Sequence, residues 1–179
     1  MQGFCATPND EPLVDGDVLT VDMGLHYGGY HADMAFTVVV GGGGTETLHA
    51  LLDVTRDSLY SGIAQAQPGK RVGDIGHAIE SAIQPHKTFG IIRQFVGHGI
   101  GRALHERPSV PNYGKPHTGD LLKPGMCLAV EPMVTLGTWK TRIMKDGWTA
   151  KTADGSLAAH FEHTIAITPT GAEILTRLD

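Results

Sequence analysis

The sequence predicts a single α+β domain over residues 1–179, built on an antiparallel or mixed sheet with flanking helices. Three observations lead to this prediction. Residues 17–40 have the alternation and the glycine turn of a β-hairpin, residues 45–67 and 72–83 have helical apolar spacing, and short apolar segments typical of strands follow. With 179 residues, of which 41% are hydrophobic, the chain can bury one sizeable core.

The predicted hairpin carries two carboxylates. Its turn is at Tyr27-Gly28-Gly29, because glycine accepts the positive φ angles of tight hairpin loops, and pairing about that turn places Asp22 opposite Asp33. Directly opposed like charges destabilise a sheet, and a cation is the simplest compensation. The alternative is a register shifted by one residue, or two solvated carboxylates. The opposite hairpin face is apolar and is predicted to join the core: Val21, Met23, Leu25, Ala32, Met34 and Phe36.

The remaining elements follow from periodicity and breakers. Thr45 is a candidate N-cap for the first helix, which ends before Pro68, and the second helix buries Ile75, Ile79 and Ile83 before Pro85 ends it. Residues 1–16 read as a strand end and a loop. Strands are predicted at 93–96, 126–134, 160–167 and 172–177.

Composition excludes several classes of protein. A net charge of −5 without a basic patch argues against nonspecific nucleic-acid binding. The sequence has no apolar run long enough to span a bilayer and no signal-peptide pattern at its start, so we expect no membrane association and a cytoplasmic location. Cys5 and Cys127 are too few for a disulfide framework, and Cys127 is expected to be a reduced, buried thiol.

Three further stretches place ionisable residues in apolar or glycine-rich surroundings. His98 is flanked by glycines, which could let a ligand or substrate approach the imidazole. Glu131 interrupts an apolar run, and Glu162 precedes His163 in another. A buried glutamate needs a partner. For Glu131 that partner could be an arginine such as Arg142, and this is at least as good an interpretation of the single residue as metal binding.

Taken together, these side chains suit a pair of divalent ions. Asp22, Asp33, His98, Glu131 and Glu162 supply the carboxylate oxygens and the imidazole that such ions prefer, and shared ions remove the repulsion between the carboxylates. A two-metal site can hold a bridging hydroxide and polarise a carbonyl group, which suits peptide hydrolysis.

The same residues resemble a known family. Their order and spacing are similar to those of the type I methionine aminopeptidases, M24-type peptidases of the pita-bread fold, which also includes aminopeptidase P, prolidase and creatinase. The motifs that carry the resemblance are DGDVLTVDMG, HADMAFT, GHGIGRALHERP, GMCLAVEPMV and FEHTIAIT, and MKDGWTAKTADGSLAAHFEHT resembles the methionine aminopeptidase version rather than that of the proline peptidases.

The resemblance implies a function and roles for individual residues. It implies removal of the initiator methionine from nascent peptides by a hydroxide activated by two divalent ions, which could be Co, Mn, Fe or Zn. Asp33 and Glu162 would bridge both ions, Asp22 would complete one, and His98 with Glu131 the other. Glu131 would also carry the proton to the leaving amine, and His105 would hydrogen-bond the scissile peptide. Leu104, Trp148 and Phe161 would line the methionine pocket, although each could be an ordinary core residue.

The chain departs from the family pattern in two respects. Family members have additional chain before the point where this sequence begins, so we expect a truncated fold with an uncovered sheet face, which a homodimer could cover. Counting back from Pro8 places Cys5 where the family has a catalytic histidine; a thiol cannot replace an imidazole as a proton carrier, although it could bind a metal. The alternative is that the first residues of this sequence are not a faithful counterpart of that stretch. The alternatives are an Xaa-Pro peptidase of the same fold, and a binding module that holds metal with little or no catalysis.

Overall fold

The computed structural model describes residues 3–5 and 10–177. The side chain of Cys5, predicted to stand at the family's histidine position, lies outside the described residues. The strands and helices, in chain order, are β1 (Gly3–Cys5), β2 (Val18–Tyr27), β3 (Tyr30–Val39), α1 (Glu46–Gln65), α2 (Val72–Ile83), β4 (Gly90–Ile91), β5 (Gly97–Gly99), β6 (Glu106–Val110), β7 (Cys127–Val130), β8 (Met133–Thr135), β9 (Thr141–Ile143), β10 (Ala150–Thr152), β11 (Ala158–His160), β12 (Glu162–Thr168) and β13 (Gly171–Ile174).

A seven-stranded antiparallel sheet organises the molecule. Its order is β2-β3-β12-β7-β5-β6, and β13 pairs with the second half of β12. Two small three-stranded sheets, β1-β10-β9 and β11-β8-β4, accompany it. Strands from both halves of the chain therefore meet at β3 and β12, and the predicted α+β class is confirmed.

Both helices cover one face of this sheet. The predicted helix over 72–83 is confirmed at both ends, with Ile75, Ile79 and Ile83 fully buried. The Thr45 side chain accepts a hydrogen bond from the N–H of Leu48 at 3.2 Å and caps α1 as predicted. Helix α1 ends at Gln65, slightly before the predicted limit. Together with sheet residues such as Leu128, the helices form the main apolar core.

The predicted hairpin forms, but its register differs from the prediction. Asp22 pairs with Ala35, and Gly24 pairs with Asp33. The physical reason is the turn, because the loop consists of Gly28 and Gly29, whose φ angles are 60° and 85°. Both positions of this tight loop need a positive φ, so the two glycines fill it and the register shifts by two residues. A shift of two preserves the face, and the two aspartates are diagonal neighbours on one side.

The prediction that the other hairpin face joins the core is wrong for its outer part. Met23 is 46% exposed and Leu25 is 63% exposed. Val21, Ala32, Met34 and Phe36, which share this face, are only half-buried. Among the described residues, α1 and α2 pack mainly over the other strands, so this apolar face stays largely open to solvent.

The strand predictions were partly wrong. Residues 93–96 form a connection between β4 and β5, and the expected strand at 126–134 is divided into β7 and β8 at Glu131-Pro132, since proline cannot donate a ladder hydrogen bond. The segment predicted as one strand at 160–167 is also interrupted, at Phe161 between β11 and β12. The last strand begins and ends earlier than predicted. No helix in the described part of the chain is both long and apolar enough to cross a bilayer.

Candidate metal centre

The five predicted ligands lie on the sheet face opposite the helices. Each comes from a different strand or strand end: Asp22 from β2, Asp33 from β3, His98 from β5, Glu131 after β7 and Glu162 from β12. The alternation along β12 shows the two faces, because His163 contacts Tyr60 of α1 while its neighbour Glu162 points to the other side. The sheet therefore gathers residues that lie far apart in sequence.

Asp33, His98 and Glu162 form the first group of possible ligands. Their ligand atoms lie within 4.8 Å of one another, and all three residues are buried. The Nδ1 atom of His98 lies 2.9 Å from the carbonyl oxygen of Gly99. Because a carbonyl can only accept, Nδ1 carries the proton, and Nε2 is left with a lone pair for a metal ion.

Glu131, His160 and Glu162 form the second group, with ligand atoms again within 4.8 Å of one another. Glu131 lies between two imidazoles: its Oε1 is 3.6 Å from His98 Nε2, and its Oε2 is 3.5 Å from His160 Nε2. Glu162 belongs to both groups. Two ligand groups that share one carboxylate are the arrangement that a bridged pair of ions requires.

Burial of these carboxylates is electrostatically costly unless a cation is present. Desolvation, with the nearby charges of Asp22 and Glu131, raises the pKa of Asp33 to about 6. Desolvation, followed by repulsion from Glu131 and Asp33, raises the pKa of Glu162 to about 10. Asp33 Oδ1, Glu162 Oε1 and His160 Nε2 are buried and have no hydrogen-bond partner among the described residues. These unsatisfied atoms converge on the cluster, and the donor set fits divalent ions.

Asp22 lies at the edge of the cluster. Its side chain is 50% exposed, and its Oδ2 is 3.9 Å from His160 Nδ1. It belongs to neither of the two compact groups formed by the described residues. It does contribute to the electrostatic repulsion that raises the pKa values of Asp33 and Glu162. Its role as a ligand therefore stays a prediction.

The position of Glu131 results from the break between β7 and β8. Pro132 ends the β7 ladder, and the carbonyl of Glu131 accepts a hydrogen bond at 3.0 Å from Nδ2 of Asn112, which is fully buried. This bond fixes the backbone that aims the carboxylate at His98 and His160. In the described part of the chain no ion pair joins Glu131 to the exposed Arg142, so the alternative role as an arginine partner is not realised.

Two of the glycines around His98 allow close packing of β5. A Cβ atom on Gly97 would overlap the carbonyl oxygen of Ala129 in the neighbouring strand β7, and one on Gly99 would overlap the carbonyl of Arg107. These glycines allow β5 to lie very close to its neighbours. Sheet packing therefore requires these glycines, and their predicted role in letting a ligand or substrate approach stays a prediction.

His105 and Leu104 lie at the rim of the cluster. The imidazole of His105 is exposed, and its centroid lies 4.3 Å from that of His98. Leu104 is half-buried, and a Cβ atom on Gly24 would lie 3.6 Å from Leu104 Cδ1 and 3.9 Å from Asp33 Oδ1. Leu104 therefore lies beside the Asp33 carboxylate, next to Gly24.

The other two predicted pocket residues lie in different surroundings. Trp148 is 64% exposed in the turn between β9 and β10, where its backbone N–H donates to Oδ1 of Asp146 at 3.0 Å. Phe161 is half-buried and packs against the main apolar core. The ordinary core role that the sequence left open for Phe161 therefore describes its contacts. A place for either residue in a methionine pocket stays a prediction.

His160 is a buried member of the cluster that was not among the predicted ligands. It is only 3% exposed and lies within 4.0 Å of Glu162 and within 3.9 Å of Asp22. Strand alternation could have found it, because residues two apart in a strand point to the same face and His160 precedes Glu162 by two. Cys127, by contrast, is a free, half-buried thiol, and burial raises its pKa.

Comparison with known proteins places this cluster in context. Residues 4–169 match the metallopeptidase family M24. Methionine aminopeptidase 1 of Bacillus subtilis is 47% identical over 171 residues, which are 96% of this chain and 68% of that protein. Methionine aminopeptidase of Mycoplasma capricolum is 48% identical over 172 residues, with the same coverage of both chains. The chain therefore spans about two thirds of the length of these relatives.

Solved structures agree with the sequence relatives. A methionine aminopeptidase structure from Thermotoga maritima matches with a TM-score of 0.88 and 49% identity. The match covers 92% of this chain and 65% of the Thermotoga chain. The prolidase structure from Pyrococcus furiosus has a TM-score of 0.74 at 22% identity, and shows the shared pita-bread fold only. The predicted fold and family are thus confirmed: the chain belongs to metallopeptidase family M24, with methionine aminopeptidases among its relatives.

Proposed function

We propose that this protein removes N-terminal methionine from peptides and nascent chains by metal-dependent hydrolysis. One observation carries the proposal: two groups of possible metal ligands, Asp33-His98-Glu162 and Glu131-His160-Glu162, share Glu162, and all members except Glu131 are buried. A bound cation relieves the repulsion between these carboxylates while leaving them ionised. Identities of 43–49% to several methionine aminopeptidases support the substrate class.

The residues of the chain divide the chemical work. When bound, two divalent ions supply a Lewis acid for the peptide carbonyl and lower the pKa of a water molecule. Glu131, half-enclosed beside His98, accepts the proton of the attacking water on a carboxylate oxygen and returns it to the leaving amine. His105 stands at the exposed rim of the cluster, where its imidazole can hydrogen-bond the scissile peptide and stabilise the oxyanion.

The metal content follows from the ligand set. Asp33, His98, Glu131 and Glu162, with Asp22 at the edge, would hold two ions per chain. Carboxylates with imidazole suit Mn, Fe, Co and Zn alike, so availability decides which is used. Elemental analysis of the protein after reconstitution with metal and desalting measures the number of bound ions. We expect about two ions per chain, as in other two-metal sites.

A panel of peptides tests the substrate. The metal-loaded protein is expected to release methionine from Met-Ala-Ser, and to leave formyl-Met-Ala-Ser and Ala-Pro-Ser intact, because the reaction needs a free methionine terminus. Cleavage of Ala-Pro-Ser in preference to Met-Ala-Ser would instead identify the alternative, an Xaa-Pro peptidase of the same fold. The M24 match alone fits both activities, since the prolidase structures share the fold.

The second alternative is a binding module that holds metal without turnover. One observation gives a reason to test this alternative: Trp148, which was predicted to line the methionine pocket, is exposed to solvent. A protein that binds two ions and Met-Ala-Ser, and yet releases no methionine, would be such a module. Fewer than one ion per chain would argue against the metal centre itself.

A second copy of this chain is the proposed partner for the open hairpin. Among the described strands, β2 pairs only with β3, so ten residues of strand edge are free beside the exposed Met23 and Leu25. A free edge next to an apolar face favours association with an identical strand. Light scattering should show a dimer at micromolar concentration that Leu25→Lys dissociates; a monomer throughout would contradict this.

The cytoplasm is the proposed location. Nascent chains carry their initiator methionine there, and a half-buried free thiol such as Cys127 is compatible with a reducing compartment. Immunoblotting of cell fractions tests this location. Recovery of the protein outside the cytoplasmic fraction would contradict it.

A further inference from the structure

His160 has the surroundings of a metal ligand, although neither the family pattern nor the ligand set predicted from the sequence includes it. Its side chain is 4% exposed, and its Nε2 has no hydrogen-bond partner among the described residues. A buried imidazole nitrogen without a partner is costly. The neighbours of Nε2 are metal-binding groups, since Glu131 Oε2 is 3.5 Å away and Glu162 Oε2 is 4.0 Å away.

The backbone of His160 is held firmly in this place. The hydroxyl of Thr37 accepts a hydrogen bond from the N–H of His160 at 2.9 Å and donates one to its carbonyl at 2.9 Å. Thr37 is 2% exposed and belongs to β3, the strand that also carries Asp33. The imidazole is thus fixed relative to the carboxylates by the same sheet that positions them, as a ligand should be.

The two ligand groups are alike when His160 is included. His98 supplies the nitrogen of one group and His160 the nitrogen of the other, and Glu162 belongs to both. A metal-bound histidine ordinarily directs its second ring nitrogen at a carboxylate or a carbonyl. For His98 this is the Gly99 carbonyl, and for His160 the carboxylate of Asp22 lies on that side, with Oδ2 at 3.9 Å from Nδ1.

We propose that His160 is a further metal ligand, which binds through Nε2 the ion held by Glu131 and Glu162. This inference rests on the proposed metal centre and extends its ligand set. A second imidazole in the centre shifts preference toward Zn²⁺ and Co²⁺ and away from Mn²⁺, because nitrogen ligands favour borderline ions over hard ones.

Titration of the metal-free protein with Co²⁺, Zn²⁺ and Mn²⁺ against a chromophoric chelator tests the assignment. His160→Gln should weaken the Co²⁺ affinity of one of the two sites by about 10- to 100-fold or more, since even the loss of a residue that only hydrogen-bonds to a metal ligand costs this much. Mn²⁺ affinity should fall less. The matched control is His163→Gln, since His163 lies in the same motif but faces Tyr60 and Thr176 on the helix side. This variant should bind both ions as the wild type does.

A second readout does not depend on a substitution. In the ¹⁵N-labelled, Zn²⁺-loaded wild type, the Nε2 resonance of His160 should move to the position of a metal-bound nitrogen, as that of His98 should. An unchanged Nε2 resonance, or equal Co²⁺ affinities in wild type and His160→Gln, would overturn the assignment while leaving a two-ion centre intact. A wild type that binds no ion would overturn both this inference and the proposed function.

Discussion

The hydroxyl of Thr164 accepts a hydrogen bond from the backbone N–H of Asp33 at 2.8 Å and donates one to the carbonyl of the same residue at 2.7 Å. Thr37 makes the same pair of bonds to His160. These two hydroxyls lie at the ends of the short ladder in which Met34 and Ala35 pair with β12. Strands from the two halves of the chain are therefore joined by side chains at the very residues that carry the metal-binding groups.

Thr164→Val should destabilise the protein by about 2 to 4 kcal/mol, because the buried N–H and carbonyl of Asp33 each lose a partner. Thr164 is 2% exposed, so water cannot easily replace the hydroxyl. Urea unfolding of the metal-free protein measures the change. Thr164→Ser keeps the hydroxyl and should lose much less; equal losses in the two variants would show that the methyl group matters more than the hydrogen bonds.

The metal-free protein should become less stable as the pH rises. The pKa values of Asp33 and Glu162 are raised in the folded state, so both groups stabilise the fold below their unfolded pKa values of about 3.8 and 4.5. That contribution is lost as the pH rises through about 6 for Asp33, and up to about 10 for Glu162. Thermal unfolding between pH 5 and pH 9, with and without Co²⁺, measures it, and metal should largely remove the decline.

Glu162→Gln isolates the larger of these two contributions. Glutamine carries no charge, so the metal-free variant should exceed the wild type in stability by more than about 1 kcal/mol at pH 8, and by much less at pH 4. The same variant should bind metal poorly, since both ligand groups lose their shared member. A variant that binds two ions normally would contradict the bridging position of Glu162.

His105 and His98 should respond differently to removal. His105→Ala should lower kcat by about 10²- to 10³-fold, the usual cost of losing an oxyanion partner, and should leave the metal content unchanged. His98→Ala should instead lose metal, because His98 belongs to a ligand group. Steady-state kinetics with elemental analysis of the same samples separates the two effects. Loss of metal in His105→Ala would place that residue in the ligand shell.

Gly97→Ala should destabilise the sheet by about 1 to 3 kcal/mol, because its Cβ would overlap the carbonyl oxygen of Ala129 and push β5 away from β7. His98 would move with β5, so metal affinity should fall as well. Gly43→Ala is the matched control, since a Cβ there meets nothing within 4 Å and its φ of −73° suits alanine. Equal stability of the two variants would show that the strands can separate at little cost.

Residue patterns predicted the parts of the fold that depend on local chemistry. Helix α2 follows from the spacing of its isoleucines, and the common face of Asp22 and Asp33 follows from the period of a strand. The register did not follow, because choosing between Tyr27-Gly28 and Gly28-Gly29 as the loop depends on φ angles that the pattern does not specify. Strands β9 and β10 were missed because each is only three residues long and contains polar residues, so neither forms an apolar run that the sequence would reveal.

The candidate site was likewise predicted only in part. Five ligands stand out because charged residues interrupt apolar or glycine-rich runs, and four of them lie in the two compact groups. His160 was missed although the strand predicted at 160–167 places it on the same face as Glu162, because the alternation of faces was applied only to the hairpin. The exposure of Met23 and Leu25 depends on which elements cover the sheet, and neighbouring residues in the sequence do not determine this.

The proposed methionine release depends above all on Glu131, which would carry the proton at a metal centre shared by two ligand groups. The most direct test is the rate of methionine release from Met-Ala-Ser by chelator-treated protein, before and after addition of Mn²⁺ or Co²⁺, for the wild type and Glu131→Gln. We predict no release without metal, release by the reconstituted wild type, and a rate lower by about 10²- to 10⁴-fold in Glu131→Gln, the usual contribution of a general acid–base group. Equal rates in the wild type and Glu131→Gln, or no release by a folded wild type that holds two ions, would contradict the account.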